Sequence, residues 1–207
     1  MHWVPVTRPC TANLTVQRTD RKRNHMRKLI SGLFVSLDGV TEAPEKWQFD
    51  NFDEDMLAAL QAHIDDEDTI LLGRGTYEAW APYWPTSTDE PYACHINNVP
   101  KYIVSTTLDE VQWGQWDTIT LIKDHVMEEI TRLKQEDGKN IGVSGSPTLV
   151  RSLLQNDLLD ELTLMMHPVI VGSGKRLFSD DSDLKRMKLV NSQTTRTGVV
   201  FLTYQPR

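Results

Sequence analysis

Cysteine, long apolar runs and internal repeats are scarce or missing in this chain, and each lack removes a class of protein. Two cysteines in 207 residues, Cys10 and Cys94, supply neither a disulfide framework nor the paired spacing of a zinc site, so reduced thiols and a cytoplasmic setting are expected. No apolar stretch approaches the roughly 20 residues that cross a bilayer. The first 25 residues lack the apolar core of a secretory signal. Gly-X-Gly-X-X-Gly is missing from the first strand-to-helix turn, which removes the usual dinucleotide fingerprint. Gly172-Ser173-Gly174-Lys175 is not a Walker A loop, because Val169 and Arg176 stand where that loop needs glycine and a hydroxyl residue. No metal site is expected: the run Asp65, Asp66, Glu67 and Asp68 reads as a solvated turn, since consecutive side chains do not converge on an ion.

What is present is a core-forming composition, 39% hydrophobic and 25% charged, suited to a soluble domain of this length. The net charge of −7 is unevenly laid out. Residues 1–25 hold Arg8, Arg18, Arg21, Lys22 and Arg23 against Asp20, a balance of +4, which leaves about −11 on the rest. The basic stretch reads as a loosely packed extension before a domain spanning residues 26–207. The acidic body disfavours nucleic acid and anionic membrane as partners, and an anionic cofactor needs a local site to overcome that field.

Hydrophobic rhythm predicts strands and helices in alternation. Strands are expected over 28–37, 69–72, 101–105, 118–122, 139–143 and 161–166, the first stopped by an Asp38-Gly39 turn. A helix over 53–64 carries Met56, Leu57, Leu60 and Ile64 at helical spacing, with acids at its front where the dipole favours them. Further helices start near Thr76 and cover 125–135 and 147–155; Ser146 can cap the last, and Pro147 fits its first position. Pro82 and Pro85 open a long irregular stretch reaching Val99. Two final strands, 184–193 and 198–204, read as an antiparallel pair. The order implies an α/β domain with a mixed sheet.

Two glycine-marked turns, about seventy residues apart, each lie between an apolar run and a helix start. Gly73-Arg74-Gly75-Thr76 offers backbone amides, a guanidinium whose planar fork suits a terminal phosphate, and a hydroxyl. Ser144-Gly145-Ser146-Pro147-Thr148 offers close backbone approach at a glycine and the positive end of the helix behind it. Together they read as two halves of one phosphate grip. The same glycines also make tight turns without any ligand, so the residues alone leave both readings open.

In order along the chain, residues 27–39 (RKLISGLFVSLDG), 69–78 (TILLGRGTYE), 102–107 (YIVSTT), 143–154 (VSGSPTLVRSLL) and 160–178 (DELTLMMHPVIVGSGKRLF) resemble the dihydrofolate reductase superfamily. Within it they are most similar to the bacterial branch related to the reductase domain of riboflavin biosynthesis. The resemblance implies a three-layer α/β/α fold with a central mixed, mostly parallel sheet and a C-terminal antiparallel strand pair. It also implies an NADPH-binding cleft and a homodimer. Gly73, Arg74 and Thr76 match the turn facing the 2′-phosphate and the other phosphates; Ser105 and Thr106 match the adenosine end. Ser144 and Gly145 fall on the family's cis-linked glycine pair near the pyrophosphate, with serine replacing the first glycine, and Ser146 and Thr148 complete that seat. Val35 to Asp38 would border the nicotinamide, with residues 40–49 as a flap.

Hydride transfer needs no protein nucleophile, because the cofactor carries the chemistry. Asp38 is a candidate to orient substrate or water. Asp50, with Asp53, Glu54 and Asp55, stands near the helix front where the superfamily places a substrate-binding carboxylate. Trp47 is a candidate cover for the substrate, and Gly174 and Lys175 for a substrate phosphate; His167 reads as a satisfied strand-end histidine. Trp80 and Trp84, with Tyr77 and Tyr83, form a candidate aromatic wall. The expected function is an NADPH-dependent reductase of a pterin-, pyrimidine- or flavin-like heterocycle. The alternatives are a reductase using FMN and a noncatalytic nucleotide- or flavin-binding protein.

Overall fold

The computed structural model describes residues 26–178 and 184–207; the basic extension expected over 1–25 lies outside them. Strands β1 (Leu29–Ser36), β2 (Glu67–Gly73), β3 (Lys101–Val104), β4 (Ile119–Ile122), β5 (Asn140–Val143), β6 (Glu161–His167), β7 (Met187–Thr194) and β8 (Val200–Pro206) form one sheet in the order β4-β3-β2-β5-β1-β6-β8-β7. From β4 to β6 every neighbouring pair is parallel; β8 is antiparallel to both β6 and β7. The sheet is thus mixed and mostly parallel, with the antiparallel pair at its C-terminal end.

Helices α1 (Glu54–Asp66), α2 (Arg74–Trp80), α3 (Tyr92–Asn98), α4 (Val126–Gln135) and α5 (Pro147–Gln155) make the two outer layers. Alternation along the strands decides which layer each side chain meets. Leu29, Leu33, Val35, Leu71 and Val143 face Ile130 and Leu133 of α4 and Leu149 and Leu153 of α5. The opposite face carries two separate clusters. Met56 of α1 packs on Met165, Val199 and Phe201, whereas Ile96 of α3 and Trp113 pack on Ile70, Leu72 and Ile103. On the same face of the central strand β1, Gly32 stays partly exposed beside Met165 and His63, while the partly exposed Phe34 packs on the Met56 cluster.

Local chemistry explains where the elements begin. Asp53 caps α1, its carboxylate accepting the Met56 amide at 2.9 Å, and Glu54 and Asp55 occupy the first turn as the dipole favours. Several expectations need correction. The acidic run is not a solvated turn: α1 continues through Asp66, and β2 starts at Glu67, which is only 3% exposed. Asp68 pairs with the buried Arg27. The stretch after Pro82 holds a 3-10 turn, Trp84–Thr86, and α3, ordered by edge-on contacts of Trp84 with Trp80 and Tyr92. Ser146 occupies the cap position of α5, but its side chain makes no capping bond.

Candidate functional site

Parallel pairing of β2 with β5, Leu71 opposite Val143, brings the two glycine turns out of the same sheet edge side by side. The Gly73 amide donates to the Gly145 carbonyl at 2.7 Å. A Cβ at Gly73 would lie 2.6 Å from Ser146 Oγ and 2.9 Å from Ser146 N; one at Gly145 would lie 2.8 Å from Thr76 Oγ1. Gly145 also has φ of +117°, a region where side chains are disfavoured. Among the described residues the cis peptide that does not precede a proline is Gly145–Ser146, one bond later than the superfamily pattern would put it. Helix geometry leaves the first-turn amides of α2 and α5 without intrahelical acceptors, and the Thr76 and Ser146 hydroxyls stand among them. Ser144 Oγ lies 3.3 Å from Tyr92 Oη, and the exposed Thr148 meets Arg151 at 3.4 Å.

Arg74, Ser105 and Thr106 divide differently. Arg74 is exposed; its Nη1 donates to Thr107 Oγ1 at 3.2 Å, and its Nε is 3.9 Å from Glu78. Ser105 is buried, and its hydroxyl accepts the amides of Thr107 at 3.2 Å and Leu108 at 3.1 Å. That hydroxyl is committed to the turn. Thr106 is exposed beside it.

At the end of β1 the loops interlock. Val35 is 4% exposed in the core beneath α5, so only its backbone is available to a ligand. Asp38 accepts hydrogen bonds from Ser36 Oγ at 2.7 Å, Val171 N at 3.1 Å and Gly172 N at 2.9 Å. The Ser36 hydroxyl, followed by those amides, holds its carboxyl at about 2. Val40 bridges to Arg176, the Thr41 amide donates to the Lys175 carbonyl at 2.9 Å, and Glu42 accepts the Lys175 amide at 3.1 Å. A Cβ at Gly174 would lie 2.8 Å from Val40 Cγ1, so the two loops pack directly. The Lys175 ammonium remains exposed, 3.7 Å from Glu42.

Trp47 donates to the Glu42 carbonyl at 3.2 Å and meets the His167 ring edge-on, centroids 5.4 Å apart. His167 is fully buried, and neither ring nitrogen has a hydrogen-bond partner, so it is not the satisfied histidine expected. Burial pushes its pKa down. Asp50 lies exposed in the 3-10 turn Phe49–Asn51. The other acids at the helix front are engaged by the turn before β8: Asp53 by Thr197, Glu54 and Asp55 by Arg196.

The family described as RibD C-terminal domain matches residues 27–201. The chain belongs to this family. It is 32% identical over 185 residues to the uncharacterized protein YyaP of Bacillus subtilis (strain 168), covering 86% of this chain and 94% of that one. Among solved structures, a putative riboflavin biosynthesis protein from Shewanella sp. PV-4 aligns with a TM-score of 0.69 at 22% identity, over 87% of this chain and 99% of that one. A diaminohydroxyphosphoribosylaminopyrimidine deaminase/5-amino-6-(5-phosphoribosylamino)uracil reductase from Thermotoga maritima aligns with a TM-score of 0.64 at 15% identity, over 88% of this chain and 57% of that one.

This RibD C-terminal fold also gathers residues that the motifs did not flag. Thr107, one residue beyond the expected pair, carries the hydroxyl that meets Arg74. Tyr92 reaches the second turn from α3; desolvation pushes its phenol above the ordinary value, and the Glu67 carboxylate adds to the rise. Glu67 itself meets His95 and His63. The spacing of His63 and Glu67 is that of one helical turn, a signal hidden when the acidic run is taken as solvated.

Proposed function

We propose that the chain is an NADPH-dependent reductase of a small pyrimidine-, pterin- or flavin-like heterocycle. The observation that carries this reading is the junction of the two turns, joined by the Gly73–Gly145 bond at 2.7 Å. Its glycines leave no room for side chains, and its amides and hydroxyls form a cradle suited to a pyrophosphate. Arg74, with Thr107 and Thr106 beside it, would take the 2′-phosphate; Thr76, Ser144, Gly145, Ser146 and Thr148 would hold the bridging phosphates. Bound there, the cofactor supplies hydride. A planar ring would lie over the partly exposed Gly32, and Lys175 with Gly174 would meet an anionic substituent on it. Trp47 would cover the ring, and Asp50 would stand at its rim.

Asp38 serves this reading as the clamp between the two loops. A carboxylate held at about 2 is a poor proton carrier near neutral pH. A second copy of the chain would cover β7, all but one of whose residues are exposed. The cradle's donors also suit FMN, whose single phosphate needs no 2′-phosphate contact, which keeps a flavin-using reductase as the second reading.

Titration with NADPH, NADH and FMN, followed by tryptophan fluorescence, tests the choice. A charge-assisted guanidinium–phosphate contact contributes about 1.5–3 kcal/mol, roughly a tenfold or greater change in affinity. Arg74→Ala should therefore weaken NADPH at least tenfold and leave NADH nearly unchanged. Equal affinity of the wild-type protein for NADPH and NADH overturns the 2′-phosphate contact. Tight FMN binding without NADPH binding selects the flavin reading, and cofactor binding without oxidation by any heterocycle selects a noncatalytic protein.

A further inference from the structure

Glu67 is a buried carboxylate that the fold makes room for. Its side chain is 1% exposed, and a Cβ on Gly142 of β5 would fall 1.6 Å from its Oε2, so only glycine leaves this slot open. Oε1 lies 2.9 Å from His95 Nε2. Oε2 lies 3.5 Å from His63 Nε2 and has no hydrogen-bond partner. A buried carboxylate oxygen left unbonded is costly unless a donor or cation meets it. His63, in the last turn of α1, is the group at hand. Its side chain is 33% exposed, and its Cε1 and Nε2 come within 3.8 and 3.9 Å of where a Cβ on Gly32 would stand. Gly32 is itself partly exposed. His63 therefore stands between the partly exposed Gly32 and the buried carboxylate.

A metal reading fails on geometry, since no group of three His, Cys, Asp or Glu side chains among the described residues is arranged to hold an ion. The titratable groups facing His63 are Glu67 from β2 and, beyond it, His95 and Tyr92 from α3. Gly32 and Met165, the strand residues next to it, carry none. The cluster has the form of an imidazole oriented by a carboxylate, an arrangement suited to moving a proton.

We propose that His63 donates the proton to the ring reduced over Gly32, with Glu67 and His95 as positioning residues; this rests on the reductase reading above. A ring C=N bond gains two electrons: carbon receives a hydride from a reduced nicotinamide, and the π pair moves to nitrogen. That nitrogen takes the proton from the His63 imidazolium, leaving the nicotinamide oxidised and His63 neutral. The exposed part of the His63 ring lets solvent return the proton.

Four proteins test this: wild type, His63→Ala, Glu67→Gln and Gly32→Ala, each first titrated with NADPH by tryptophan fluorescence. A pterin, a dihydropterin and a quinazoline, each with a ring C=N bond, then serve as ring probes, read both by binding and by single-turnover NADPH oxidation. Expected are NADPH affinities within twofold of wild type for all three variants and ring binding weakened at least tenfold by the Gly32→Ala methyl. His63→Ala should slow oxidation at least tenfold, with partial recovery on adding free imidazole. Glu67→Gln, which keeps the shape of the side chain but not its charge, should slow oxidation at least tenfold while leaving ring affinity unchanged. Unchanged oxidation in His63→Ala, or slow oxidation that imidazole does not restore, overturns His63 as donor. A wild-type protein that binds NADPH but none of the rings overturns the ring site while leaving the cofactor reading intact. Ring binding that depends on Gly32 without any NADPH binding overturns the reductase reading, and with it the proton role, but not the ring site.

Discussion

Gly73 and Gly75 sit two residues apart in one turn, yet alanine should act on them with opposite sign. At Gly73 the added methyl would stand 2.6 Å from Ser146 Oγ, 2.9 Å from the Ser146 backbone nitrogen and 3.2 Å from Leu149 Cβ. The hydroxyl can rotate away, but the backbone nitrogen and the start of α5 can yield only by parting the two turns. Overpacking of this kind costs about 1–3 kcal/mol, and losing the Gly73–Gly145 hydrogen bond adds about 0.5–1.5 kcal/mol. Gly73→Ala is therefore expected to destabilise the fold by about 2–4 kcal/mol. Gly75 lies in the first turn of α2, and its methyl would meet nothing nearer than Ser146 Cβ at 4.0 Å. Helical propensity then decides, and Gly75→Ala should stabilise by up to about 1 kcal/mol. Urea unfolding followed by the fluorescence of the six tryptophans measures both. The same two proteins titrated with NADPH separate packing from ligand contact, because a methyl at Gly75 would crowd the proposed phosphate seat without loosening the fold. Stability changes of the same sign at the two positions, or a Gly73→Ala change below about 0.5 kcal/mol, would refute the claim that the turns are mutually fitted.

Other consequences follow from single contacts. Ser146→Ala should change stability by less than about 0.5 kcal/mol, well under the ~1 kcal/mol of a working helix cap, since its hydroxyl makes no capping bond; urea unfolding decides, and a loss of a full kcal/mol contradicts the geometry. Asp38 is held at about 2 against an ordinary 3.8, so it contributes stability that is present above pH 3.8 and lost as pH falls through 2. Thermal melts of wild type and Asp38→Asn should accordingly differ most above pH 4 and converge toward pH 2; a constant gap would show that the carboxylate is not the cause. Light scattering should find wild type dimeric and Val190→Lys monomeric if a second copy covers β7, where Val190 is 40% exposed, and a monomeric wild type rejects that surface.

Much of this architecture is legible in the sequence because strands and the longer helices announce themselves by periodicity. Helix α5 has the predicted limits, 147–155, since proline starts it and four leucine and valine positions mark its buried face. The antiparallel ending is legible from two apolar runs separated by polar residues. What escaped was decided by contacts distant in sequence. Glu67 looks like one more acid in a solvated run until Gly142, seventy-five positions later, is seen to open a slot for its carboxylate. Helix α3 is seven residues long, too short for periodicity to be read with confidence, and it is held by Trp80 and Trp84 rather than by its own propensity. Ser146 carries the ideal residue type for a cap, but its side chain sits against Gly73 instead.

The site's two ends are tied to one rigid element. Strand β5 lies between β2 and β1; its last residues lead into Ser144 and Gly145 of the second glycine turn, while Gly142 sits beneath the Glu67 carboxylate. Two residues of extended chain, about 7 Å, thus separate the backbone of that turn from that of the Glu67 cluster. Tyr92 spans the same interval on the helical side, touching Ser144 through its hydroxyl and stacking obliquely against His95 at 6.1 Å. A change in either end must be transmitted through a parallel sheet whose strands are hydrogen-bonded on both sides, a medium that resists deformation. If the turns hold the cofactor and Gly32 the ring, as proposed, the spacing between the two is set by the fold's central strands. The loops over Asp38 and Trp47 would then determine which ring is admitted.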